Sequence, residues 1–439
     1  MKAKASPTKA FFVRMLTRDI SLTDCILDLV DNSVDGAWEL AGARAAALQE
    51  TSALAERRID IHVSESRFAI TDNCGGITLD DAVNYAFTFG RREDRGTDDY
   101  SVGVYGIGMK RAIFKIGESI EIASTTSGPK GTESFVVPIH VPTWSKAEDW
   151  DFDIAEGVPG KDPGVEIEIT DLTREAALEF SDESFPNHLR ETLAIEYLLP
   201  LLQGLHIFVN GVEVERAAVQ LRAGEGHSPM RDSYADAGVS VEIIAGMHAP
   251  PPDTSDPEDP KRADQISGWY VACNGRIVLP ANRDESTGWG VDGLPKWHHQ
   301  YSGFIGFVLF SAANPELLPM TTTKRDVDRS SLVYRRAIAR MREPARAWIN
   351  YTNSRKSNLD EAKEKERSLQ RVELTELPER TTVAVPVIAR SGPPPANVSY
   401  AVPRPKLKLL ASALGDISMS YREVGIRTFE YTFDELVDE

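Results

Sequence analysis

An apolar helical stripe followed directly by alternating strands constrains the fold of this chain more than any other feature. Residues 19–57 are predicted to be helical, because an alanine-rich stretch follows apolar residues at three- and four-residue spacing: Leu22, Cys25, Ile26, Leu29, Val30 and Val34. Residues 59–73 then alternate apolar and polar side chains around a Ser-Glu-Ser turn, which predicts a β-hairpin. Further β-rich runs cover 119–127, 132–141 and 164–172. Helices before and among strands indicate an α+β fold with helices on one sheet face.

A second group of helix and strand signals begins near residue 185. Residues 188–204 predict a helix closed by a glycine, and the Asn-Gly pair at 210–211 predicts a hairpin turn. Strand-like runs at 268–280 and 303–311 precede a long helix that starts near Arg329. We therefore predict a first domain, a second domain, a linker and a small C-terminal β element, over residues 1–175, 176–356, 357–405 and 406–439 respectively.

Composition narrows the class of protein. A chain of 439 residues exceeds one ordinary hydrophobic core, so two or three domains are expected. The net charge of −18 argues against a surface that coats nucleic acid, although a basic patch near residues 332–356 remains compatible with phosphate contacts. The three separated cysteines build no disulfide framework, and no apolar run approaches the roughly 20 residues of a membrane span. We expect a cytoplasmic protein without membrane association.

The first candidate site segment lies on the predicted N-terminal helix, from Asp28 to Asp35. Helical spacing places Asp28 and Asn32 on one face. The amide oxygen of Asn32 is a suitable ligand for Mg²⁺, which prefers oxygen. The carboxylate of Asp28 is suited to orienting or deprotonating an attacking water. Taken alone, a helix cap or a solvated helix face would explain the same residues.

The second and third segments are rich in glycine. Residues 72–77 follow a predicted strand, and their glycines allow close approach of a ligand while Asp72 is suited to accept a hydrogen bond from an exocyclic amine. Residues 103–110 open a predicted helix, whose N-terminus is a natural phosphate site. Their order is neither Gly-x-Gly-x-x-Gly nor the Walker pattern. Each segment alone would also suit an ordinary turn.

Together and in this order, the three segments resemble the N-box and two glycine boxes of the GHKL superfamily. That group contains DNA gyrase B subunits, MutL-type repair proteins, ninety-kilodalton heat-shock chaperones, histidine kinases and MORC ATPases. The resemblance covers about residues 19–172 and implies a Bergerat-type α/β sandwich that binds ATP and Mg²⁺. It implies that Asn32 holds Mg²⁺ and that Asp72 reads the adenine amino group. Gly76 would shape the adenine pocket, and the segment from Thr88 to Ser101 would be the ATP lid.

The same resemblance implies which other residues line the nucleotide site. Three glycines would wrap the phosphates: Gly103, Gly106 and Gly108. The remaining predicted contacts are Asp35, Ile77, Val104, Tyr105, Ile107, Met109 and Lys110. Gly164 matches the strand that completes the pocket.

Three residues depart from the family pattern. The family's general base is usually glutamate, whereas Asp28 stands here. The shorter side chain withdraws the carboxylate by about 1 Å, and such a displacement can cost about a hundredfold in rate. Cys74 replaces the first glycine of its box, and Val165 replaces a threonine that would supply a hydroxyl.

A lysine in the second domain extends the resemblance. The loop 318–324 lies between a predicted strand and a helix, and it is similar to the lysine-bearing loop of the transducer domain in gyrase-like and MutL-like ATPases. That likeness implies a transducer-like, ribosomal S5-like α/β domain with Lys324 as a catalytic residue. An ammonium group suits a γ-phosphate, where it offsets developing charge. A solvated loop lysine is the alternative.

These features predict a slow ATPase that acts as an ATP-gated conformational switch or dimer clamp. The resemblance is closest to prokaryotic MORC-like ATPases, which implies an ATP-dependent homodimer and a DNA-linked or defence role. DNA binding is not supported by the net charge. Asp28 in place of glutamate leaves open a nucleotide-responsive scaffold with little hydrolysis, and a chaperone-like client binder is a third alternative.

Overall fold

The structure is a computed structural model of the chain. It describes residues 8–42, 51–89, 100–102, 106–128, 131–252, 265–388 and 398–437. The chain divides into two compact units, Met1–Ala389 and Arg390–Glu439. Among the described helices, none combines the length and apolar character needed to cross a membrane.

The first sheet of the larger unit contains the predicted hairpin and the three predicted β-rich runs. Its strands are β1 (Arg58–Ser64), β2 (Arg67–Asp72), β3 (Gly117–Gly128), β4 (Gly131–His140), β5 (Ala155–Glu156), β6 (Gly164–Leu172), β7 (His206–Val209) and β8 (Val212–Glu213). In the described residues their order is β5-β4-β3-β6-β2-β1-β7-β8. Strand β7 pairs parallel with β1, so the hairpin with its Asn-Gly turn extends this sheet from within the predicted second domain.

The α-helices near the first sheet are α1 (Lys9–Thr17), α2 (Leu22–Ala41), α3 (Leu79–Asp81), α4 (Gly108–Ile116), α5 (Val141–Trp144), α6 (Arg174–Phe180), α7 (Phe185–Glu196) and α8 (Leu198–Leu202). The buried apolar residues of α2, α4, α6 and α7 share one core with this sheet, whereas those of α8 lie mostly in a separate core. Every member of the apolar stripe predicted on α2 is buried. Helix α2 ends because Gly42 takes a left-handed conformation with φ 61°. The helix prediction is therefore wrong for residues 51–56, which form turns.

The second sheet has the order β10-β11-β14-β12-β13 in the described chain. Its strands are β10 (Met230–Asp236), β11 (Val239–Met247), β12 (Gly268–Cys273), β13 (Arg276–Asn282) and β14 (Phe304–Ser311), while β9 (Gln220–Ala223) pairs with β15 (Gln370–Glu373). The predicted long helix is α9 (Leu332–Ser354), which shares a core with this sheet. In the described residues, the larger unit combines helices with sheets of eight, five and two strands, so the predicted α+β class is confirmed.

The segment predicted as a linker over residues 357–405 is ordered secondary structure in part. It contains helix α10 (Leu359–Ser368) and strand β15. Within α10 the side chain of Glu366 is buried and accepts hydrogen bonds from Arg355 and from the hydroxyl of Tyr351. Those partners stabilise a charge that would otherwise keep the segment in solvent.

The C-terminal β element predicted over residues 406–439 is wrong. The smaller unit contains two helices, α11 (Arg404–Ala413) and α12 (Tyr421–Val437). The aromatic and β-branched residues of α12 favour strands when local preference alone is considered. In the helix, the rings of Phe429 and Phe433 stack four residues apart, with centroids separated by 6.4 Å, and Val424 is buried.

Candidate nucleotide site

The Asp72 carboxylate lies where α2, the end of β2 and the start of β6 meet. One oxygen accepts hydrogen bonds from the backbone N–H groups of Cys74 at 2.9 Å and Val165 at 3.2 Å. The other accepts from the hydroxyl of Ser33 at 2.6 Å. Burial raises the pKa of Asp72, while these hydrogen bonds oppose that effect. The structure thus holds the predicted adenine acceptor by three donors, of which Ser33 was not predicted.

Glycines allow the main chain to close around Asp72. A Cβ atom on Gly164 would lie 1.9 Å from the carbonyl oxygen of Asp72, and one on Gly36 would lie 2.5 Å from that of Cys74. Gly76 has φ 75°, and a Cβ there would lie 2.2 Å from the carbonyl oxygen of Thr125. Real Cβ contacts are never this short, so the approach of these segments requires glycine.

The two departures next to Asp72 fit the local backbone. Cys74 is buried and does not have a positive φ, so the missing first glycine leaves no left-handed strain. Val165 contacts Asp72 through its main-chain N–H, which needs no side-chain hydroxyl. Ile77 exchanges two hydrogen bonds with the hydroxyl of Ser124, which secures the end of this loop.

The described end of the predicted phosphate loop, at Gly108, lies next to Asp28. Gly106 has φ 62°, and Gly108 is the first residue of α4. A Cβ on Gly108 would lie 3.3 Å from the carboxyl carbon of Asp28. Ile107 is the N-cap residue and has no side-chain oxygen to cap the helix, so the first N–H groups of α4 suit an anion. Gly103, Val104 and Tyr105 lie outside the described residues.

Asn32 and Asp35 have different environments on α2. Asn32 is exposed, whereas its neighbours Asp31 and Ser33 are buried. An exposed amide oxygen beside Asp28 fits the ligand type that Mg²⁺ prefers. The backbone N–H of Val102 donates to both oxygens of Asp35, at 2.9 Å to Oδ1 and 3.0 Å to Oδ2. Asp35 therefore fixes the residue that directly precedes the glycine loop.

Lys110 contacts the start of the predicted lid. Its ammonium donates to the carbonyl oxygens of Ala86 and Thr88, each at 2.8 Å. Burial lowers the pKa of Lys110 to about 8. The structure therefore gives this residue, predicted as a nucleotide contact, main-chain partners at the first lid residue and just before it. Met109 is half-buried against the first core.

The structure brings together the two residues that were predicted to be catalytic. Lys324 follows β14 and has φ 56°, and its ammonium lies 3.3 Å from Oδ1 of Asp28 and 2.7 Å from Oδ2 of Asp31. Burial opposes the charge of Lys324, but the two carboxylates outweigh burial and raise the pKa of the ammonium. The other oxygen of Asp28 accepts from Nε of Arg111 at 2.6 Å. Both oxygens of Asp28 are thus held by cations.

Comparison with known families points to the same part of the chain. Residues 20–153 match the family model described as histidine kinase-, DNA gyrase B-, and HSP90-like ATPase. This match supports a GHKL-type ATPase domain that binds ATP. It spans Asp28, Asn32, Asp72 and the glycine loop, whereas Lys324 lies beyond it. A search of curated proteins found no match to this chain.

A buried ionic network joins the GHKL-type domain to the second sheet. Its carboxylates are Asp24, Asp28, Asp31 and Glu196, and its cations are Arg111, Arg276, Lys324 and Arg325. These described members balance four negative charges with four positive charges. Sequence reasoning missed the network. The sequence pattern that could have indicated it is the spacing of Asp24, Asp28 and Asp31 by four and then three residues, which places three carboxylates on one helix face.

The end of the predicted lid also contacts the second sheet. The side-chain amide of Asn274, in the turn between β12 and β13, donates to the carbonyl oxygens of Ser101 at 3.0 Å and Ala312 at 3.1 Å. The N–H of Tyr100 donates to the carbonyl oxygen of Ala313 at 3.1 Å. Residues 90–99 of the lid lie outside the described residues. The described end of the predicted lid is thus hydrogen-bonded to the second-sheet region.

Proposed function

We propose that this chain hydrolyses ATP slowly and uses ATP as the signal for a conformational switch or dimer clamp. The observation that carries the proposal is the approach of Lys324 to Asp28. A lysine 296 positions further along the chain lies 3.3 Å from the proposed water-activating carboxylate. Gly108, at the start of the phosphate-binding helix, lies against the same carboxylate.

Each proposed role follows from the environment of the residue. Asp72 would accept a hydrogen bond from the adenine amino group, and Asn32 would hold Mg²⁺, which offsets phosphate charge when bound. The N–H groups at the start of α4 would receive the phosphates. Lys324 would offset the charge that develops on the γ-phosphate, and Asp28 would orient the attacking water.

The rival function is a scaffold that holds ATP with little hydrolysis. It is favoured by the 2.6 Å contact between Arg111 and Asp28 together with the contact from Lys324. These donors compete with an attacking water for the two oxygens of Asp28, which slows activation of that water. This arrangement is the structural reason for proposing a slow enzyme.

The proposed partner of this chain is a second copy of itself, and DNA is a weaker candidate. The likeness to gyrase-like, MutL-like and MORC-like ATPases suggests ATP-dependent dimers and a DNA-linked or defence role. The basic face of α9 gives DNA little support, since three of its arginines pair with acids of the same chain: Arg336 with Asp236, Arg340 with Asp232 and Arg342 with Asp292. Addition of DNA to the hydrolysis assay tests this part directly.

Three variants separate ATP binding from hydrolysis. Asp72→Asn should weaken ATP binding by about 1–3 kcal/mol, or about 5- to 150-fold, because the carboxylate acceptor is lost. Lys324→Ala and Asp28→Asn should bind ATP within a few-fold of wild type and hydrolyse it at least tenfold more slowly. Calorimetric titration and single-turnover hydrolysis measure the two quantities.

Each of the three variants has a control or an outcome that would contradict its proposed role. Arg276 and Arg111 remain to pair with Asp31 and Asp28 in the Lys324→Ala variant, and a melting curve checks its fold. Lys356→Ala, which changes an exposed lysine that contacts Gln300, is the matched control. Unchanged affinity in Asp72→Asn would refute the adenine assignment. Equal single-turnover rates in wild type and Asp28→Asn would favour the scaffold.

A further inference from the structure

The proposed function leaves Asp31 without a role, although its carboxylate is the centre of the buried network. Asp31 is 1% exposed. Its Oδ1 accepts from the guanidinium of Arg276 and, at 2.7 Å, from the hydroxyl of Tyr197. Its Oδ2 accepts from Lys324 at 2.7 Å. Both carboxylate oxygens therefore accept hydrogen bonds, and the two charged donors, Arg276 and Lys324, come from the second-sheet region.

Lys324 is held more closely by Asp31 than by Asp28. The two Nζ–O distances are 2.7 Å and 3.3 Å. Asp31 therefore supplies the closer of the two carboxylate contacts that hold the ammonium beside Asp28.

The other partners in the network cannot replace Asp31. Arg276 keeps a second carboxylate, because its guanidinium also contacts Glu196 at 2.6 Å. Lys324 without Asp31 would keep only the longer contact with Asp28, an oxygen that also lies near the phosphate helix. The loop that carries Lys324 also has short-range main-chain bonds, such as that from Lys324 to Thr321, and the neighbouring Arg325 pairs with Asp24 and Glu196. These contacts hold the loop but do not involve the Lys324 ammonium.

We propose that Asp31 is a positioning residue that places Lys324, and with it the second sheet, against the GHKL-type domain. This inference rests on the proposed function, because it gives Lys324 a part in hydrolysis. Asp31 acts through Lys324 and Arg276 and does not touch the nucleotide. ATP affinity should therefore be nearly independent of Asp31, while the hydrolysis step depends on it.

The test uses Asp31→Asn in the full chain, which keeps side-chain size and removes the charge. The dissociation constant for ATP should stay within about twofold. The single-turnover rate should fall at least tenfold. Backbone hydrogen exchange at Thr321 and Lys324 should become at least tenfold faster, since Lys324 loses its closest side-chain partner. Hydrogen exchange needs no hydrolysis, so it reports on positioning even in a chain without turnover.

Two further variants distinguish positioning from general stability. Asp31→Glu keeps the charge required by Arg276 and Lys324, so it should fold even where Asp31→Asn does not. Its carboxylate is displaced by one methylene group, and the rate should again fall, because small misplacements slow catalysis strongly. Glu366→Gln is the matched control, since it breaks another buried arginine–glutamate pair at Arg355, away from α2. It should lower the melting temperature and leave both the rate and loop exchange unchanged.

Each outcome decides one of the two ideas. Wild-type rate and wild-type loop exchange in Asp31→Asn would overturn the positioning role and leave the proposed function standing. Equal slowing by Asp31→Asn and Glu366→Gln would also overturn it, because both effects would then reflect stability. A wild-type chain without hydrolysis would refute the proposed function, and faster loop exchange in Asp31→Asn would still support the positioning role of Asp31.

Discussion

At the scale of single residues, the candidate nucleotide site depends on positions where a side chain has no room. Gly164 and Gly76 lie against main-chain carbonyl oxygens, which cannot rotate away as a flexible side chain would. Gly164 lies against Asp72 itself. A substitution there should therefore change stability and ligand affinity together.

Gly164→Ala tests this constraint. The new Cβ would lie 1.9 Å from the carbonyl oxygen of Asp72, so β2 and β6 must separate. We expect the free energy of unfolding to fall by about 1–3 kcal/mol or more and ATP binding to weaken at least tenfold. Denaturant unfolding and calorimetric titration measure the two effects.

Gly128→Ala provides the matched control on β3. No described atom lies within 4 Å of the Cβ that would be added there, and Gly128 has no positive φ. The control should change the free energy of unfolding by no more than about 0.5 kcal/mol. Similar behaviour of the two variants would show that close approach at Gly164 is not required.

At the scale of elements, the two ends of the predicted lid are held by different parts of the molecule. Helix α4 holds the start through Lys110, which contacts Ala86 and Thr88. The turn between β12 and β13 holds the end through Asn274, which contacts Ser101. The described ends of the predicted lid therefore contact α4 and the second sheet, respectively.

The Lys110 contact predicts a dependence of stability on pH. Burial lowers the pKa of Lys110 from 10.5 to about 8 in the folded chain. Between these values the unfolded chain keeps the proton that the folded chain has lost, so the free energy of unfolding contributed by Lys110 rises with pH. Below pH 8 both states are protonated, and burial of the charge lowers stability by a constant amount.

Lys110→Met removes this titration. The wild-type free energy of unfolding, minus that of the variant, should increase between pH 7 and pH 10 by up to about 3 kcal/mol. Denaturant unfolding of both proteins at the two pH values measures the difference, and other titrating groups cancel. A difference that is the same at both pH values would contradict the lowered pKa of Lys110.

At the scale of the whole molecule, the larger unit combines the ATPase-type sheet and the second sheet through a network of buried charges. Lys324 belongs to this network and also lies beside the proposed phosphate site. ATP changes an equilibrium only if it binds one state more tightly than the other. A γ-phosphate that contacts Lys324 in only one of the two states would supply such a difference.

We therefore expect a non-hydrolysable ATP analogue to drive dimer formation. Light scattering should give about twice the monomer mass with the analogue, and monomer mass with ADP or without nucleotide, because ADP lacks the γ-phosphate. Lys324→Ala should bind the analogue and form fewer dimers. The same mass in every nucleotide state would contradict the clamp and leave ATP binding unaffected.

Sequence alone determined the parts of this protein that depend on neighbouring residues. Periodicity predicted α2 and the strands β1 and β2, and turn residues predicted the hairpin at Asn210 and Gly211. The candidate segments around Asp28, Asp72 and Gly108 were also visible, because helix spacing and glycine conformations are local properties. Their roles in binding ATP stay predictions.

Only the tertiary structure decided which charges are buried together. Arg276 and Asp31 are 245 positions apart. Arg355 pairs with Glu366, which lies in the segment predicted as a linker. A periodic pattern shows that a charged residue faces the core but does not show its partner. Burial of a charge is stable only when an opposite charge or a hydrogen bond meets it, and that partner is chosen by long-range packing.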